Sequence, residues 1–371
     1  MLIGVPREIK SDEYRVGLTP ESVKALTARG HRVLVEAAAG LGIGAGDADY
    51  IAAGAAIAAS ADEIWDSAEL VVKVKEPQEG ERRRMRAAQT LFTYLHLASD
   101  AAQTRELIDS GATCIAYETV TDDQGRLPLL APMSEIAGRM SVQAGAHCLE
   151  MPQRGRGVLL AGATGVAPGK VVILGAGVAG SNAARIACAM GADVTVLDRN
   201  PQALARLAAQ FGSTVKGELA NPASIASHVA LADLVVGAVL VPGDAAPRLI
   251  DSALLARMQP GAVIVDIAID QGGCCETSRP TTHREPTFIE GGIVHYCVAN
   301  MPGAVPRTST YALNCATLPF VLALADHGIA GALKSDPHLR AGLNVHGGRI
   351  THAAVAKALA LPAVDPLAAL G

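Results

Sequence analysis

The chain has 371 residues, which at roughly 100–200 residues per domain suggests two domains. Its formal net charge of −5 argues against a nucleic-acid-binding protein, because such proteins usually carry a basic surplus that neutralises phosphates. Aromatic residues make up only 3% of the chain, so Ala, Val, Leu and Ile must form most of the core, as suits helices packed closely on a sheet.

The N-terminus and the cysteines indicate a cytoplasmic protein in a reducing compartment. Residues Met1–Glu8 reach a charge at Arg7, too early for the apolar segment of a signal peptide. The seven cysteines are odd in number and form no C-x-x-C pair, which argues against a disulfide framework and a thiolate zinc site. The uncharged stretch Thr308–Ala325 contains polar residues and Pro319, and we expect a buried helix there rather than a membrane span.

The first third of the chain alternates between strand and helix patterns. Thr19 is a suitable N-cap and Pro20 a suitable first residue for a helix, since apolar residues follow at helical spacing. Short apolar runs predict strands at Leu2–Pro6, His31–Glu36, Leu70–Val74 and Thr90–Tyr94. This alternation predicts a parallel sheet with helices on both faces.

A second series of elements follows a helical pattern at Ser134–Glu150 and a glycine-rich loop at Arg154–Gly169. Further strands are predicted at Lys170–Leu174, Asp193–Leu197, Leu234–Val239 and Ala262–Ile267. After Val305 the pattern becomes helical and is expected to stay so to the end, with a turn at His346–Gly348 before the last helix.

The pattern G-x-G-x-x-G follows the predicted strand Lys170–Leu174 directly. Gly175 permits a tight turn, Gly177 lets a pyrophosphate approach the backbone, and Gly180 lets the helix pack on the strand. The N-terminus of that helix offers unpaired N–H groups to phosphates. Asp198 ends the next strand roughly 20 residues later, where a carboxylate accepts the ribose hydroxyls of NAD and repels a 2′-phosphate. We therefore predict NAD, although the adjacent Arg199 leaves some tolerance of NADP open.

These patterns together predict an α/β fold of two Rossmann-like doubly wound domains with a cleft between them. We expect a discontinuous substrate and catalytic domain at residues 1–130 and 308–371. The NAD-binding Rossmann domain is expected at residues 131–307.

Eight motifs, spread over nearly the whole chain, resemble those of the alanine dehydrogenase family, which also includes pyridine nucleotide transhydrogenases. They are Gly4–Lys10, Glu13–Pro20, Val74–Pro77, Tyr94–Ala98, Pro132–Gly138, Asp266–Gly273, Ser278–Thr282 and Val298–Pro302. Several of these motifs are more specific than the dinucleotide fingerprint. The resemblance implies reversible NAD-dependent oxidative deamination of L-alanine to pyruvate and ammonia.

Four side chains have chemistry that suits this reaction. Arg15 can bind both oxygens of a carboxylate, and Lys75 follows a strand where ligand sites of parallel sheets gather. Histidine is a residue type that transfers protons in many active sites, which suits His96 to this role, and Asp270 follows another strand, where it can orient water or ammonia. Taken alone, each residue also has an ordinary structural explanation: a surface arginine, a strand-edge lysine, a core histidine or a capping aspartate.

The resemblance assigns roles to these residues and to a larger set of cofactor contacts. It implies that Arg15 and Lys75 bind the substrate and that His96 and Asp270 are the catalytic acid–base pair. The implied cofactor contacts are Ser134, Gly175, Gly177, Val178, Ala179, Gly180, Asp198, Val239, Leu240, Ile267, Ala268, Ile269, Asp270, Arg279, Val298, Ala299, Asn300 and Met301. The chain departs from some relatives on the adenosine side, because no lysine follows Asp198 closely and Ala220 stands where a serine can occur.

Other expectations concern partners and competing functions. The resemblance implies a homohexamer, and we expect no required metal, no membrane and no nucleic acid. The adjacent Cys274 and Cys275 are expected to act as small buried apolar residues. Two alternatives are a transhydrogenase subunit, which passes hydride to a partner protein, and a non-catalytic NAD-binding module. Slow turnover of serine, 2-aminobutyrate or glyoxylate stays open, because a small pocket discriminates by only about 1–3 kcal/mol per methylene.

Overall fold

The structure is a computed structural model that describes residues 1–239 and 246–371. It divides into two compact units, the first formed by Met1–Pro132 with Gly303–Gly371 and the second by Met133–Pro302. The strands of the described residues are β1 (Leu2–Val5), β2 (Arg32–Glu36), β3 (Ala56–Ala58), β4 (Leu70–Val72), β5 (Thr90–Thr93), β6 (Thr113–Ala116), β7 (Lys170–Leu174), β8 (Asp193–Asp198), β9 (Lys216–Leu219), β10 (Leu234–Gly237), β11 (Val263–Asp266), β12 (Thr287–Glu290), β13 (Ile293–Tyr296), β14 (Leu343–His346) and β15 (Arg349–Ile350).

The α-helices of the same residues are mostly short. They are α1 (Pro20–Thr27), α2 (Asp47–Ala52), α3 (Ala61–Ser67), α4 (Glu79–Arg82), α5 (Ala101–Asp109), α6 (Ala131–Cys148), α7 (Val178–Ala189), α8 (Pro201–Phe211), α9 (Pro222–Val229), α10 (Ser252–Leu255), α11 (Pro306–His327), α12 (Ile329–Ser335), α13 (Pro337–Ala341), α14 (Ala353–Ala358) and α15 (Pro366–Ala369). The α1 helix begins as expected: the Thr19 hydroxyl accepts the Ser22 N–H, and Pro20 occupies the first turn.

The first unit contains an eight-stranded sheet. Its parallel part has the order β3-β2-β1-β4-β5-β6, in which the chain winds first to one side of β1 and then to the other. This is the strand order of a doubly wound Rossmann-like sheet. Ile64 and Trp65 of α3 are fully buried in its core.

The end of the chain corrects the prediction of uninterrupted helix after residue 306. A hairpin of β14 and β15 interrupts the helices, and β14 pairs antiparallel with β6 at the edge of the sheet. The predicted turn joins these two strands, and Gly347 and Gly348 adopt positive φ angles of 55° and 77° there. The four-residue β14 is stabilised by long-range pairing with β6, which leaves little local pattern in the sequence.

The second unit repeats the doubly wound order, with β9-β8-β7-β10-β11-β13 parallel and β12 antiparallel at one edge. Its core contains few large rings because helices lie close to the sheet. Ala183, Ala184 and Ala187 of α7 are fully buried. A Cβ atom on Gly145 of α6 would lie 2.5 Å from the Leu234 side chain. The prediction of an α/β fold with two Rossmann-like units is confirmed.

The long α11 helix is buried on one face only. Asn314 on that face donates to the carbonyl oxygens of Gly17 and Thr310, and it accepts from Thr19 N–H at 2.9 Å and from the Ser22 hydroxyl at 2.8 Å. Among the described residues, this is the helix long and apolar enough to cross a membrane, and 44% of its most apolar window is buried. Core helices of globular proteins have the same length and composition, and here Asn314 attaches the helix to the segment that precedes α1.

Candidate active-site residues

Lys75 and His96 lie beyond the carboxyl ends of neighbouring strands in the first unit. The strands β4 and β5 are parallel, with Val72 opposite Phe92. The Thr93 hydroxyl donates to the Lys75 carbonyl oxygen at 3.0 Å. Adjacent parallel strands end at the same edge of a sheet, so these two predicted site residues lie on one edge, where ligand sites of such sheets form.

Arg15 is buried, with only 2% of its surface exposed. Its Nε atom donates to Glu13 Oε1 at 2.7 Å and its Nη2 atom to Glu13 Oε2 at 2.6 Å. Burial acts to lower the pKa of Arg15, but the hydrogen bonds and the charge of Glu13 outweigh it, so the pKa is raised. The guanidinium is therefore held in a fixed plane and stays charged, as a carboxylate-binding group requires.

The backbone that carries Lys75 is held by a buried carboxylate that the sequence analysis did not identify. Glu8 Oε1 accepts the N–H of Val74 at 2.7 Å and of Lys75 at 3.3 Å, and Glu8 Oε2 accepts from Lys73 Nζ at 3.0 Å. Lys73 is fully buried and also forms a 2.8 Å salt bridge with Glu81. The signal that could have indicated this cluster is the charged Lys73 inside the otherwise apolar sequence Leu70–Val74.

Lys75 itself is partly buried. Burial and then the positive charge of Arg15 lower its pKa, while Glu76 acts in the opposite direction. When a second cation lowers the pKa of a lysine, an anion that binds between the two charges stabilises the protonated form of that lysine. The structure thus places Lys75 close enough to Arg15 for the charge of Arg15 to affect its pKa.

His96 stacks on Tyr94, with ring centroids 5.9 Å apart and an angle of 11° between the ring planes. Tyr94 donates its hydroxyl to the Leu129 carbonyl oxygen at 2.5 Å and is fixed by that bond. Burial raises the pKa of Tyr94, and the Arg15 charge opposes this effect. Tyr94 thus contacts the predicted proton-transfer histidine through its ring and is affected by the charge of the predicted carboxylate-binding arginine.

In the second unit, the structure gives a different physical reason for glycine at each glycine position of the G-x-G-x-x-G motif. Gly175 adopts φ = 105°, a left-handed conformation that favours glycine. A Cβ atom on Gly180 would lie 1.8 Å from the Gly175 carbonyl oxygen, whereas one on Gly177 would meet no atom within 4 Å. The α7 helix begins just beyond at Val178, which is 48% exposed. This bare backbone beside the N-terminus of a 12-residue helix suits a diphosphate.

Asp198 ends β8, next to the glycine loop. Its Oδ2 atom accepts the Ala176 N–H at 2.6 Å, and its Oδ1 atom accepts the Asn200 N–H at 2.7 Å. The carboxylate therefore connects the end of β8 to the loop after β7. A carboxylate has about four lone-pair sites, so these two bonds leave acceptor capacity for hydroxyl groups.

Most other predicted cofactor contacts follow carboxyl ends of strands in the same parallel sheet. Val239 follows β10, residues 267–270 form a 3-10 turn after β11, and residues 298–301 follow β13. Ser134 lies on α6, and the Arg279 guanidinium lies 4.2 Å from the centre of the Phe288 ring. Leu240 lies outside the described residues.

The loop that carries Asp270 is organised by Asp266, which is fully buried at the end of β11. Asp266 Oδ2 accepts the N–H of Cys274 at 2.9 Å and the hydroxyl of Ser278 at 2.6 Å, and Oδ1 accepts the Ala268 N–H at 3.2 Å. Asp270 lies exposed in the 3-10 turn between these anchors. Asp266 belongs to the family motif Asp266–Gly273, but its local sequence gives no indication of these loop contacts.

Cys274 and Cys275 are both fully buried, as predicted. Burial raises the pKa of both thiols, and the nearby Asp266 carboxylate raises the pKa of Cys274 further. Neither thiol has the environment of a reactive thiolate. The described parts of the chain contain no group of three or more His, Cys, Asp or Glu residues arranged to hold a metal ion.

Two doubly wound units, one of which carries a dinucleotide-type glycine loop at a strand end, define a nucleotide-binding α/β protein. Residues 4–137 match the family model described as alanine dehydrogenase/PNT, N-terminal domain, and residues 141–353 match the C-terminal domain of the same family. The chain belongs to the alanine dehydrogenase/PNT family, and the resemblance seen in its motifs is confirmed.

Relatives and solved structures cover nearly the whole chain. An alanine dehydrogenase from Halomonas elongata is 57% identical over 371 residues, which is 100% of both chains. The solved structure of an L-alanine dehydrogenase superimposes with a TM-score of 0.93 at 53% identity and covers 97% of this chain and 99% of its own. A transhydrogenase from Sinorhizobium meliloti superimposes with a TM-score of 0.81 at 26% identity and covers 95% of this chain and 100% of its own. The similarity is thus greater to dehydrogenases than to this transhydrogenase.

Proposed function

We propose that the protein catalyses the reversible NAD-dependent oxidative deamination of L-alanine to pyruvate and ammonia. One observation carries this proposal: Lys75 and His96 lie beyond the carboxyl ends of neighbouring strands, and the charge of the buried Arg15 acts on Lys75, in a chain 57% identical over its full length to an alanine dehydrogenase. In this proposal the first unit supplies Arg15, Lys75 and His96, and the second unit supplies Asp270 and holds NAD.

The residues of the second unit fit NAD by their chemistry. The open space at Gly177 and the N-terminus of α7 suit the diphosphate, and the Asp198 carboxylate suits the ribose hydroxyls. The proposed contacts also include the strand-end residues named above and Leu240. When bound there, NAD supplies the acceptor for the hydride that leaves the substrate Cα.

The substrate carboxylate binds Arg15 and Lys75. The Arg15 plane, fixed by Glu13, offers directed N–H donors, and Lys75 adds a point charge on the same group or on the carbonyl oxygen of pyruvate. This binding orients Cα, so the pair contributes mainly by positioning.

His96 and Asp270 move protons at the substrate nitrogen and oxygen. After Cα is oxidised, the substrate is an iminium that water must attack. His96 accepts a proton from that water as the carbinolamine forms and donates this proton to the carbinolamine nitrogen. The neutral His96 then accepts the hydroxyl proton as the C–N bond breaks, which releases ammonia and leaves pyruvate. Asp270 orients the water or ammonia. In the direction of amination, the same groups return these protons.

Two further properties belong to this proposal. Asp198 gives a preference for NAD over NADP because its charge repels a 2′-phosphate, so the Michaelis constant for NADP should exceed that for NAD clearly. We also expect a cytoplasmic homohexamer, since the family resemblance implies one.

The decisive test is oxidation of NADH by the purified chain in the presence of pyruvate and ammonia. The proposal requires that oxidation of NADH depend on both compounds. It also requires that serine and 2-aminobutyrate be oxidised more slowly than alanine, and that glyoxylate be aminated more slowly than pyruvate. The structural likeness to a transhydrogenase makes a hydride-passing subunit the second candidate. Absence of activity until a partner protein is added would favour that candidate.

A further inference from the structure

The carboxylate of Glu118 binds the backbone that carries His96. Glu118 lies in the 3-10 turn Tyr117–Thr119, which directly follows β6, next to β5 in the sheet. Its Oε1 atom accepts the His96 N–H at 2.6 Å and the Leu95 N–H at 3.2 Å, and its Oε2 atom also accepts from Leu95 at 3.2 Å. One carboxylate therefore satisfies two successive N–H groups beyond the end of β5.

His96 adopts a left-handed backbone conformation, with φ = 52° and ψ = 38°. A residue with a Cβ atom occupies this region at an energetic penalty, and it stays there only where the surroundings hold it. Left-handed residues other than glycine cluster at functional sites for this reason. The conformation of His96 thus needs a specific restraint.

The restraint comes from both sides of the Leu95–His96 peptide. Glu118 holds the two N–H groups, while the buried Gln103 donates its Nε2 to the Leu95 carbonyl oxygen at 2.6 Å. Beyond His96, its own carbonyl oxygen accepts the Ser99 hydroxyl at 2.8 Å. With both of its peptides held, the direction of the His96 Cα–Cβ bond is fixed, and the ring that this bond carries stacks on Tyr94.

We propose that Glu118 is a positioning residue that holds His96 in its left-handed conformation and so aims the imidazole ring at the substrate. The inference rests on the proposed function, in which His96 transfers protons. Glu118 does not touch the reacting atoms and acts through the two backbone N–H groups. Without the hydrogen bonds to Glu118, the His96 backbone relaxes toward the ordinary helical or extended regions, and the imidazole ring no longer points at the substrate.

The test compares Glu118→Ala, Glu118→Gln and Glu118→Asp in the full-length protein. A misplacement of about 1 Å can lower turnover by about 100-fold, so Glu118→Ala should lower kcat about 10–100-fold with less than about a threefold change in KM for alanine and NAD. Glu118→Gln keeps an acceptor oxygen for the His96 N–H and should recover most of kcat. Glu118→Asp keeps the charge on a shorter side chain, and its kcat should be at least about fivefold lower than that of the wild type.

A matched control is Glu106→Gln, because the Glu106 carboxylate binds the side chain of Arg82 rather than backbone N–H groups. It should leave kcat unchanged. Wild-type kcat in a folded Glu118→Ala protein would overturn the inference, and so would a Glu118→Gln variant no better than Glu118→Ala. If Glu118→Ala fails to fold, Glu118→Asp decides, and wild-type kcat in that variant would contradict the proposal.

Amide hydrogen exchange provides a readout that does not depend on activity. In Glu118→Asp or Glu118→Ala the His96 amide should exchange at least about tenfold faster, while the Phe92 amide inside β5 keeps its protection. Unchanged exchange at His96 would also overturn the inference. If wild-type protein does not oxidise alanine, the proposed function fails, and the exchange result alone then decides whether Glu118 restrains His96.

Discussion

Glu13 and Arg15, two residues apart, form a buried pair in which both carboxylate oxygens accept N–H groups of one guanidinium, at 2.7 and 2.6 Å. The Arg15 N–H also donates to Glu13 Oε1, at 3.0 Å. The pair thus fixes the segment as well as the side chain. In the proposed function this pair organises Arg15 before substrate arrives, which lowers the entropy lost on binding.

Replacing Glu13 should therefore damage both stability and substrate binding. Glu13→Gln leaves the buried Arg15 charge uncompensated, a change that typically costs about 3–5 kcal/mol. We expect the free energy of unfolding to fall by about that amount and KM for alanine to rise at least about tenfold. Denaturant titration and steady-state kinetics measure the two effects. The control Glu79→Gln removes an exposed partner of Arg83 and should change neither quantity.

The lowered pKa of Lys75 predicts a pH dependence of carboxylate binding. Lys75 binds an anion only while protonated, so affinity should be highest below its pKa and fall as pH rises through it. Because burial and Arg15 lower this pKa, the fall should occur below the ordinary lysine value of about 10.4. The inhibition constant of propionate, which has a carboxylate and no amine, reports this effect against pH.

Lys75→Arg is the matched variant for this measurement, since an arginine stays protonated throughout the accessible range. Its inhibition constant for propionate should lose the alkaline rise. A wild-type midpoint at or above the ordinary lysine value would contradict the prediction.

Substitution by alanine should lower stability at Gly180 and weaken NAD binding at Gly177. Gly180→Ala places a Cβ atom 1.8 Å from a backbone oxygen, so the loop must shift, and we expect a loss of about 1–3 kcal/mol in the free energy of unfolding. Gly177→Ala meets no atom within 4 Å and should fold normally while KM for NAD rises. Thermal unfolding and NAD kinetics separate the two. A Gly177→Ala protein with wild-type KM for NAD would argue against the proposed diphosphate site.

Asn314 should be essential for attaching α11 to the segment Gly17–Ser22 of the same unit. Asn314→Ala leaves the Thr19 N–H and the Gly17 carbonyl oxygen without their present partner, and we expect a loss of about 2–4 kcal/mol in the free energy of unfolding. Cys315→Ala changes the next residue of the same helix, which is exposed, and serves as the control. Equal unfolding curves for both variants would contradict this role.

Local patterns in the sequence predicted most of the elements that carry the site. The strand Lys170–Leu174 has the predicted bounds, and the α1 helix begins at the predicted cap, because apolar runs and capping residues act within a few positions of the chain. The β14 strand was missed because its pairing with β6 joins residues more than 200 positions apart.

The sequence by itself determined the chemistry available to this protein: a glycine loop after a strand, an acid at the end of the next strand, and Arg15, Lys75 and His96 within family motifs. Only the tertiary structure decided how those groups are held. Glu8 binds the backbone of Lys75 across more than 60 positions, and Glu118 binds that of His96 across 22. A carboxylate that binds backbone N–H groups at such separations produces no local pattern, because strand order alone brings it to its partners.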